Sequence, residues 1–263
     1  MKIIVCIKQV PDTNEVQVDP ETNTLIRSGI PVIINPDDKC GIEAALQLRD
    51  KFKESTVTVV TMGPSQAELA LREALSMGCD EAVLVSARQF GGSDTLATAN
   101  ILSAAIRKIG YDLIITGRQA IDGDTAQVGP QTAERLNIPQ VSYAEKITPR
   151  GDDLIVLRRY EDRYHKLRVK LPCLLTAVAE LAEPRYMTVG GITDAAGKEI
   201  KLMDYEFLED FLDTESVGLK GSPTNVVRSF TKEAKSPGAV LKGLTPDEAV
   251  EAIMAQLHEA HII

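Results

Sequence analysis

The sequence predicts an α/β protein: an open, mostly parallel sheet with helices on both faces, an antiparallel addition, and an extended C-terminal arm with a terminal helix. Three observations predict it. Short Val- and Ile-rich runs, apolar on both faces, recur through the first half of the chain, as strands do when helices cover both sides. Helical patterns separate them, so the connections are right-handed crossovers and the strands run parallel. After Pro139 the alternation stops, and three β-rich runs follow with few helix signals between them.

The strand runs are Ile3–Val10, Val57–Met62, Ala82–Ser86 and Asp112–Thr116. Between them, Asp38–Phe52 carries Ile42, Ala45, Leu46, Leu48 and Phe52 at helical positions. Ser65–Met77 follows Pro64 and stops at Gly78, and Asp94–Ile109 stops at Gly110; glycine is the preferred residue just past a helix end. The later runs are Val141–Ile147, Leu154–Tyr160 and Leu167–Ala177, with a turn at Gly151-Asp152-Asp153. Pro172 confines the last run to a sheet edge or divides it in two. From about Glu183 to residue 243 the chain is rich in Gly, Pro, Thr, Asp and Lys, with weak periodicity. The expected domains are therefore 1–190, the α/β unit, and 191–263, the arm. At the arm's end Thr245-Pro246-Asp247-Glu248 forms a capping box with Pro at the first helical position. Val250, Ile253, Met254 and Leu257 then form an apolar stripe, which packs on the chain's own domain or on a partner subunit.

The composition excludes several functions. With 263 residues, the chain is one large domain or one with an appendage. Its 38 acids and 29 bases leave a net charge of −9, opposite to the basic stripe of a nucleic-acid binder. Aromatic residues are 4% and Trp is absent, which leaves little to stack on single strands. No apolar run approaches the roughly 18 residues of a membrane span, so no membrane insertion is expected. The opening Met1–Ile7 is too short and too promptly polar for a signal peptide. Cys6, Cys40, Cys79 and Cys173 form no CxxC pair, and Cys6 and Cys173 lie in apolar runs as small core residues. A reducing, cytoplasmic setting is expected. His165, His258 and His261 are the only histidines; no metal site and no residue acting as catalytic acid or base is expected.

In an open parallel sheet, ligands bind beyond the carboxyl ends of the strands, where helix N-termini offer free N–H groups. Four loops lie there: Lys8–Val10, Met62–Pro64, Arg88–Thr95 and Gly117–Thr132. In the last, three glycines and two hydroxyl residues precede a helix with Pro130 near its start. Its amides suit a pyrophosphate, with Gln127 or Thr132 adding donors, whereas Asp122 and Asp124 suit caps, turns or a ribose hydroxyl. Taken alone it is a generic loop-to-helix segment, neither GxGxxG nor a Walker A loop. Gly91-Gly92-Ser93-Asp94-Thr95 is either an ordinary capped helix start or an anion nest. It resembles half of the pyrophosphate loop of ATP-pyrophosphatases, although that loop follows the first strand. Asn35-Pro36-Asp37-Asp38 is an N-cap with dipole-compensating acids, or the wall of an adenine or ribose pocket.

Several stretches together resemble one family, the small (beta) subunit of electron-transfer flavoproteins. They are Val5-Cys6-Ile7-Lys8-Gln9-Val10-Pro11-Asp12, Asn35-Pro36 with Glu43-Ala44-Ala45, Met62-Gly63-Pro64, Ala74–Asp80, Gly117–Thr132, Leu171-Pro172 with Leu174–Ala177, and Glu183-Pro184-Arg185-Tyr186. Two stretches depart from the family. Arg158–His165 replaces its acidic-Gly-Gly turn, so no function is carried onto residues 161–166. Gly190–Lys198 replaces a lysine-rich run.

The resemblance implies a Rossmann-like, adenine-nucleotide-binding domain in a heterodimer with the alpha subunit. Relatives hold either AMP, as a structural ligand, or a second FAD that takes hydride from NADH and bifurcates electrons. Gly91–Thr98 and Asp122–Pro130 resemble the FAD-binding kind. Physically, Gly91, Gly92, Ser93 and Thr95 form a small-residue wall with room for an isoalloxazine. One electron would then pass through the alpha-subunit FAD to an acyl-CoA dehydrogenase, and the other to ferredoxin or flavodoxin. Cofactor contacts are implied at Cys6, Asn35, Asp37, Asp38, Met62, Gly92, Ser93, Asp94, Thr95, Thr98, Gly117, Gln119, Asp122, Gly123, Asp124, Thr125, Gln127, Val128, Gly129, Pro130, Gln131 and Thr132. Partner docking is implied at Pro184, Arg185, Tyr186 and Val189. The alternatives are a subunit holding only AMP and an ATP-using enzyme of related fold.

Overall fold

The opening apolar run forms two strands, β1 (Lys2–Cys6) and β2 (Gln9–Pro11), the latter antiparallel to β3 (Val32–Ile34). The single strand expected over Ile3–Val10 breaks because the Lys8 amide donates to Asp38 Oδ2 at 2.7 Å and leaves the ladder. The computed structural model that shows this describes residues 1–12, 31–224, 226, 227, 238 and 240–263.

The remaining elements follow the predicted alternation. They are α1 (Pro36–Lys51), β4 (Thr56–Met62), α2 (Glu68–Met77), β5 (Glu81–Val85), α3 (Thr95–Ile109), β6 (Leu113–Gly117) and α4 (Val128–Leu136). Then come β7 (Gln140–Arg150), β8 (Asp153–Tyr160), β9 (Arg163–Lys170) and β10 (Cys173–Ala177). Local chemistry sets the helix ends. Asp94 accepts from the Leu96 and Ala97 amides to cap α3, and Gly78 ends α2 in the left-handed region. Asn137 does the same for α4 at φ 55°, one of the few non-glycine residues that tolerate that conformation.

Strands β4, β1, β6 and β10 are parallel neighbours, with β1 at the centre. Their alternate residues face opposite layers. Ile3, Val5, Leu113, Ile115 and Leu175 join the core under α1 and α2. Ile4, Ile114 and Leu174 join the core under α3 and α4. This two-sided burial is why the runs read as continuously apolar.

Pro172 divides the last β-rich run into β9 and β10, and the second piece is interior, between β6 and β7. The missing N–H falls in the two-residue link, so the ladder loses nothing. That link also returns the chain from the end of β9 to the start of β10. The second half of β7 therefore folds back, and it does so at Tyr143, where φ is +59° and the pairing register shifts just beyond. Leu154, Val156 and Val169 of the antiparallel piece thereby reach the core under α1.

The expected boundary at residue 190 lies within the folded unit. The chain continues through α5 (Val189–Gly197), β11 (Ile200–Met203) and α6 (Tyr205–Leu208). β11 extends the sheet parallel to β5, and Ala195, Met203, Leu208 and Val217 are buried. Part of the expected arm, at 225, 228–237 and 239, lies outside the described residues. The terminal helix α7 (Pro246–Glu259) carries its capping box: Thr245 Oγ1 accepts from the Glu248 amide and Glu248 Oε2 from the Thr245 amide. None of its side chains is buried; Val250, Ile253 and Met254 are exposed. Among the described residues no helix is long and apolar enough to cross a membrane.

Candidate functional site

The sheet order reverses at β1, so the crevice beyond the carboxyl ends of β1 and β6 is the topological switch point. Two buried side chains of the Asn35–Asp38 segment organise it. Asp38 Oδ2 accepts from the Lys8 amide at 2.7 Å, and Oδ1 from the Gly117 amide at 2.8 Å. Asn35, fully buried, donates from Nδ2 to the Gln119 carbonyl and accepts at Oδ1 from the Ile121 amide. These residues therefore cross-link strand exits from inside, rather than only capping α1; Asn35 makes no side-chain cap there. Burial pushes the Asp38 carboxyl up to about 7, against the lowering effect of the two amides and Asn35. Burial also raises Asp37, whose Oδ2 lies 3.4 Å from Arg118 Nε. Gly117 is obligatory, because a Cβ there would overlap Asp38 Oδ1 and come within 3.0 Å of Asp37 Cβ. Cys6 is buried beside Asp38, its thiol pushed up to about 12, chiefly by burial, and Met62 is half-buried at the end of β4.

The loop after β6 is pinned at its front. Both Asp122 oxygens accept from Lys8 Nζ, at 2.6 and 2.8 Å, and Gln119 Nε2 donates to Asp124 Oδ1. The two aspartates thus serve loop structure, as their chemistry suggested. A tight turn follows, with the Gly123 and Asp124 amides both on the Ala120 carbonyl. Asp124 and Ala126 have φ of 50° and 52°, and Gln127 is right-handed helical. Alternation of left- and right-handed residues turns successive N–H groups to one side, the geometry of an anion nest. Among the described residues the amides of Thr125, Ala126, Gln127, Val128 and Gly129 donate to no other group. Beside them Thr132 Oγ1 and Gln131 Oε1 are buried without a hydrogen-bond partner. Pro130 removes one donor from this first turn.

Gly129 has a reason to be glycine that the sequence did not disclose. A Cβ there would lie 2.6 Å from Thr116 Oγ1 and 2.9 Å from Thr176 Cγ2. The residue seats α4 against β6 and β10; close approach to a phosphate is not needed to explain it.

The Gly91–Thr98 segment differs most from expectation. Gly92, at φ 75°, would place a Cβ 2.5 Å from Leu219 of the same chain. Ser93 Oγ donates to the Phe90 carbonyl and accepts from the Gly218 amide. Asp94, besides capping α3, accepts from the Thr224 amide, and its own amide donates to Ser222 Oγ. The segment is thus a seat for residues 218–224, and Gly92 is not an open wall. With the exposed Leu219 side chain lying over Gly92 and the Asp94 carboxylate engaged, the resemblance to an ATP-pyrophosphatase loop has no support in the geometry. Thr95 does reach the site, since its Oγ1 donates to Gln127 Oε1 at 3.1 Å. Thr98 lies in the first turns of α3, half-buried.

At the expected docking segment, Tyr186 and Val189 are 96% and 83% exposed. Arg185 instead turns inward: its Nε and Nη2 donate to the Glu43 carboxylate at 2.7 and 3.0 Å, and Nη2 also to Asp50 at 2.9 Å. Pro184 is half-buried beside it. Lys8 and Ala126 lie in loops that the sequence marked, and Thr116 and Thr176 in its strand runs, but no motif assigns any of the four a role of its own. Each acts through the position of its backbone or a single side-chain atom.

Fold and site together define a doubly wound α/β protein whose switch point gathers cross-linked loops and free amides at the start of one helix. Comparison with known proteins makes the assignment finer. Residues 22–207 match the electron transfer flavoprotein domain family. The chain is 53% identical to the electron transfer flavoprotein subunit beta of Thermoanaerobacterium thermosaccharolyticum and 52% identical to that of Clostridium acetobutylicum. It is also 52% identical to the caffeyl-CoA reductase-Etf complex subunit CarD of Acetobacterium woodii. In all three comparisons both chains are covered over 100% of their length. The chain belongs to the electron transfer flavoprotein family, among its beta subunits.

Proposed function

We propose that this beta subunit binds FAD at the β1–β6 switch point, within a heterodimer that takes electrons from NADH and bifurcates them. The observation that carries the reading is the row of amides at Thr125–Gly129 that donate to no group among the described residues, ending beside Thr132 Oγ1 and Gln131 Oε1, which have no partner there either. Left-handed Ala126 is backbone strain without a glycine to relieve it, and such strain clusters at ligand clamps. Buried polar atoms without partners are likewise uncommon; a pyrophosphate and ribitol would satisfy both.

Cys6, Asn35, Asp37, Asp38, Met62, Gly117 and Gln119 would surround the adenosine end. Thr125, Gln127, Val128, Gly129, Gln131 and Thr132 would hold the phosphates. Thr95 and Thr98 would line the flavin side, with Ser93 and Asp94 fixing that loop. FAD, when bound, supplies the chemistry: acceptance of a hydride and release of single electrons. The chain supplies position and a local field. The helix N-terminus places positive charge at the phosphates, Lys8 holds the loop through its ion pair with Asp122, and the buried Asp38 keeps the strand exits in register.

The partners in this reading are the alpha subunit with its own FAD, an acyl-CoA dehydrogenase, and ferredoxin or flavodoxin; the setting is cytoplasmic. The relative's name as part of a caffeyl-CoA reductase-Etf complex supports an acyl-CoA-type partner. Anaerobic titration of the purified heterodimer with NADH tests the reading. Bleaching that corresponds to two flavins is expected; bleaching that corresponds to one assigns AMP to this chain.

A further inference from the structure

Three features of residues 182–198 converge. Ala182 is buried, and three residues later Arg185 forks onto the buried Glu43 while its amide donates to the same carboxylate at 3.2 Å. Glu43 is further held by Gln47 Nε2. Burial would raise the Glu43 carboxyl, but the hydrogen bonds from Arg185 and Gln47 outweigh it and hold the group below its usual range. After Arg185, the chain is free for only two residues. Thr188 then caps α5, with its Oγ1 accepting from the Gly191 amide. Gly191 is pressed onto α2, where a Cβ would lie 2.5 Å from the Ser76 carbonyl. Arg72 closes the far end, its Nη1 donating to the Ala195 and Lys198 carbonyls at 2.8 and 2.5 Å.

Between these anchors stand Tyr186, Met187 and Val189, with Ile192 on the first turns of α5, all exposed. An aromatic and three aliphatic side chains are held outward on a backbone fixed at both ends. A buried, bidentate ion pair is weak evidence of added stability, because desolvation offsets much of its attraction. What it supplies is a defined geometry, and a preordered binding segment loses less entropy on docking.

We propose that Arg185, clamped by Glu43 and Asp50, is a positioning residue that presents Tyr186–Val189 to the acyl-CoA dehydrogenase, and makes no contact with that partner itself. The inference rests on the docking reading of this segment. Its occupant is a protein surface with an apolar recess for one aromatic ring.

The test uses the intact heterodimer and its dehydrogenase, with Arg185→Met, Tyr186→Ala and the double variant. Electron transfer to the dehydrogenase, reduction of a small dye and bound nucleotide are measured for each. Arg185→Met is expected to raise KM for the dehydrogenase roughly tenfold, the scale set by re-ordering a few residues on docking. Its kcat, dye reduction and nucleotide content are expected to stay unchanged, and Arg185→Lys to recover part of the KM. The double variant should be no worse than Tyr186→Ala alone, because Arg185 acts through that segment. If Tyr186→Ala raises KM and Arg185→Met does not, the clamp is overturned and the docking reading stands. If Tyr186→Ala leaves KM unchanged, the docking reading fails, and the inference with it. Equal losses of dye reduction and nucleotide in Arg185→Met would make the arginine merely structural and overturn the proposal.

Discussion

Replacing Gly129 by alanine puts a methyl group 2.6 Å from Thr116 Oγ1 and 2.9 Å from Thr176 Cγ2. Both neighbours are buried on interior strands, so α4 has to withdraw. Its first turn would move by about 0.5–1 Å to restore ordinary contact distances. Overpacking of this kind costs about 1–3 kcal/mol, and the better helix propensity of alanine offsets at most about 1 kcal/mol of it. Two contacts under 3.0 Å with residues on interior strands put the cost in the upper half of that range, so the expected net loss is about 1–2 kcal/mol in urea denaturation. The free amides at Thr125–Gly129 move with the turn, so bound nucleotide also falls. Thr176→Ser deletes the offending methyl but keeps the hydroxyl that accepts from the Tyr143 amide. Added to Gly129→Ala, it should recover at least about 0.5 kcal/mol, a coupling expected only of residues in contact. If Gly129→Ala were neutral within about 0.5 kcal/mol, or showed no coupling to Thr176→Ser, the packing account of Gly129 would be refuted. A loss of nucleotide with unchanged stability would restore the simpler reading, in which glycine serves the phosphate alone.

Three further expectations follow from the same geometry. Gly117→Ala breaks the hydrogen bond that the Gly117 amide donates to the buried Asp38 carboxylate, worth about 1.5–3 kcal/mol for a charged acceptor, and should be the most destabilising of these changes in urea melts. Asp38→Asn tests pH dependence. The folded carboxyl is raised to about 7 while an unfolded one sits near about 3.9, so the folded state holds the extra proton and stability falls as pH rises between the two values. The Asn variant should show a shallower decline from pH 5 to 7, with the slope from raised Asp37 remaining; an unchanged slope would exclude Asp38 as its source. Deleting residues 244–263 removes a helix with no buried side chain. The variant should keep its melting temperature and nucleotide but bind the alpha subunit more weakly, by pull-down; a lower melting temperature would place the helix in the chain's own fold.

The sheet was legible because its signal is periodic: strands buried on two sides, helices stopped by Gly78 and Gly110. β11 was not, because Ile200–Met203 is a four-residue edge strand whose middle residues Lys201 and Leu202 are exposed, too short for a period to show. Its burial partners lie on β5, more than 100 residues earlier. For the candidate site, the loops at the strand exits were legible and the contacts within them were not. Loops after parallel strands are marked by order alone. That Asp38 turns inward to Lys8 and Gly117, or Arg185 to a glutamate 142 residues away, depends on tertiary proximity that no local pattern carries. Gly92 shows the opposite error: a glycine read as open space is filled by Leu219, which arrives from a segment that looked unstructured.

The ligand of this chain is the central matter, and releasing it by denaturing the purified heterodimer and identifying it by mass spectrometry tests the account most directly. Two FAD per heterodimer and no AMP is the predicted result. One FAD and one AMP per heterodimer would contradict it.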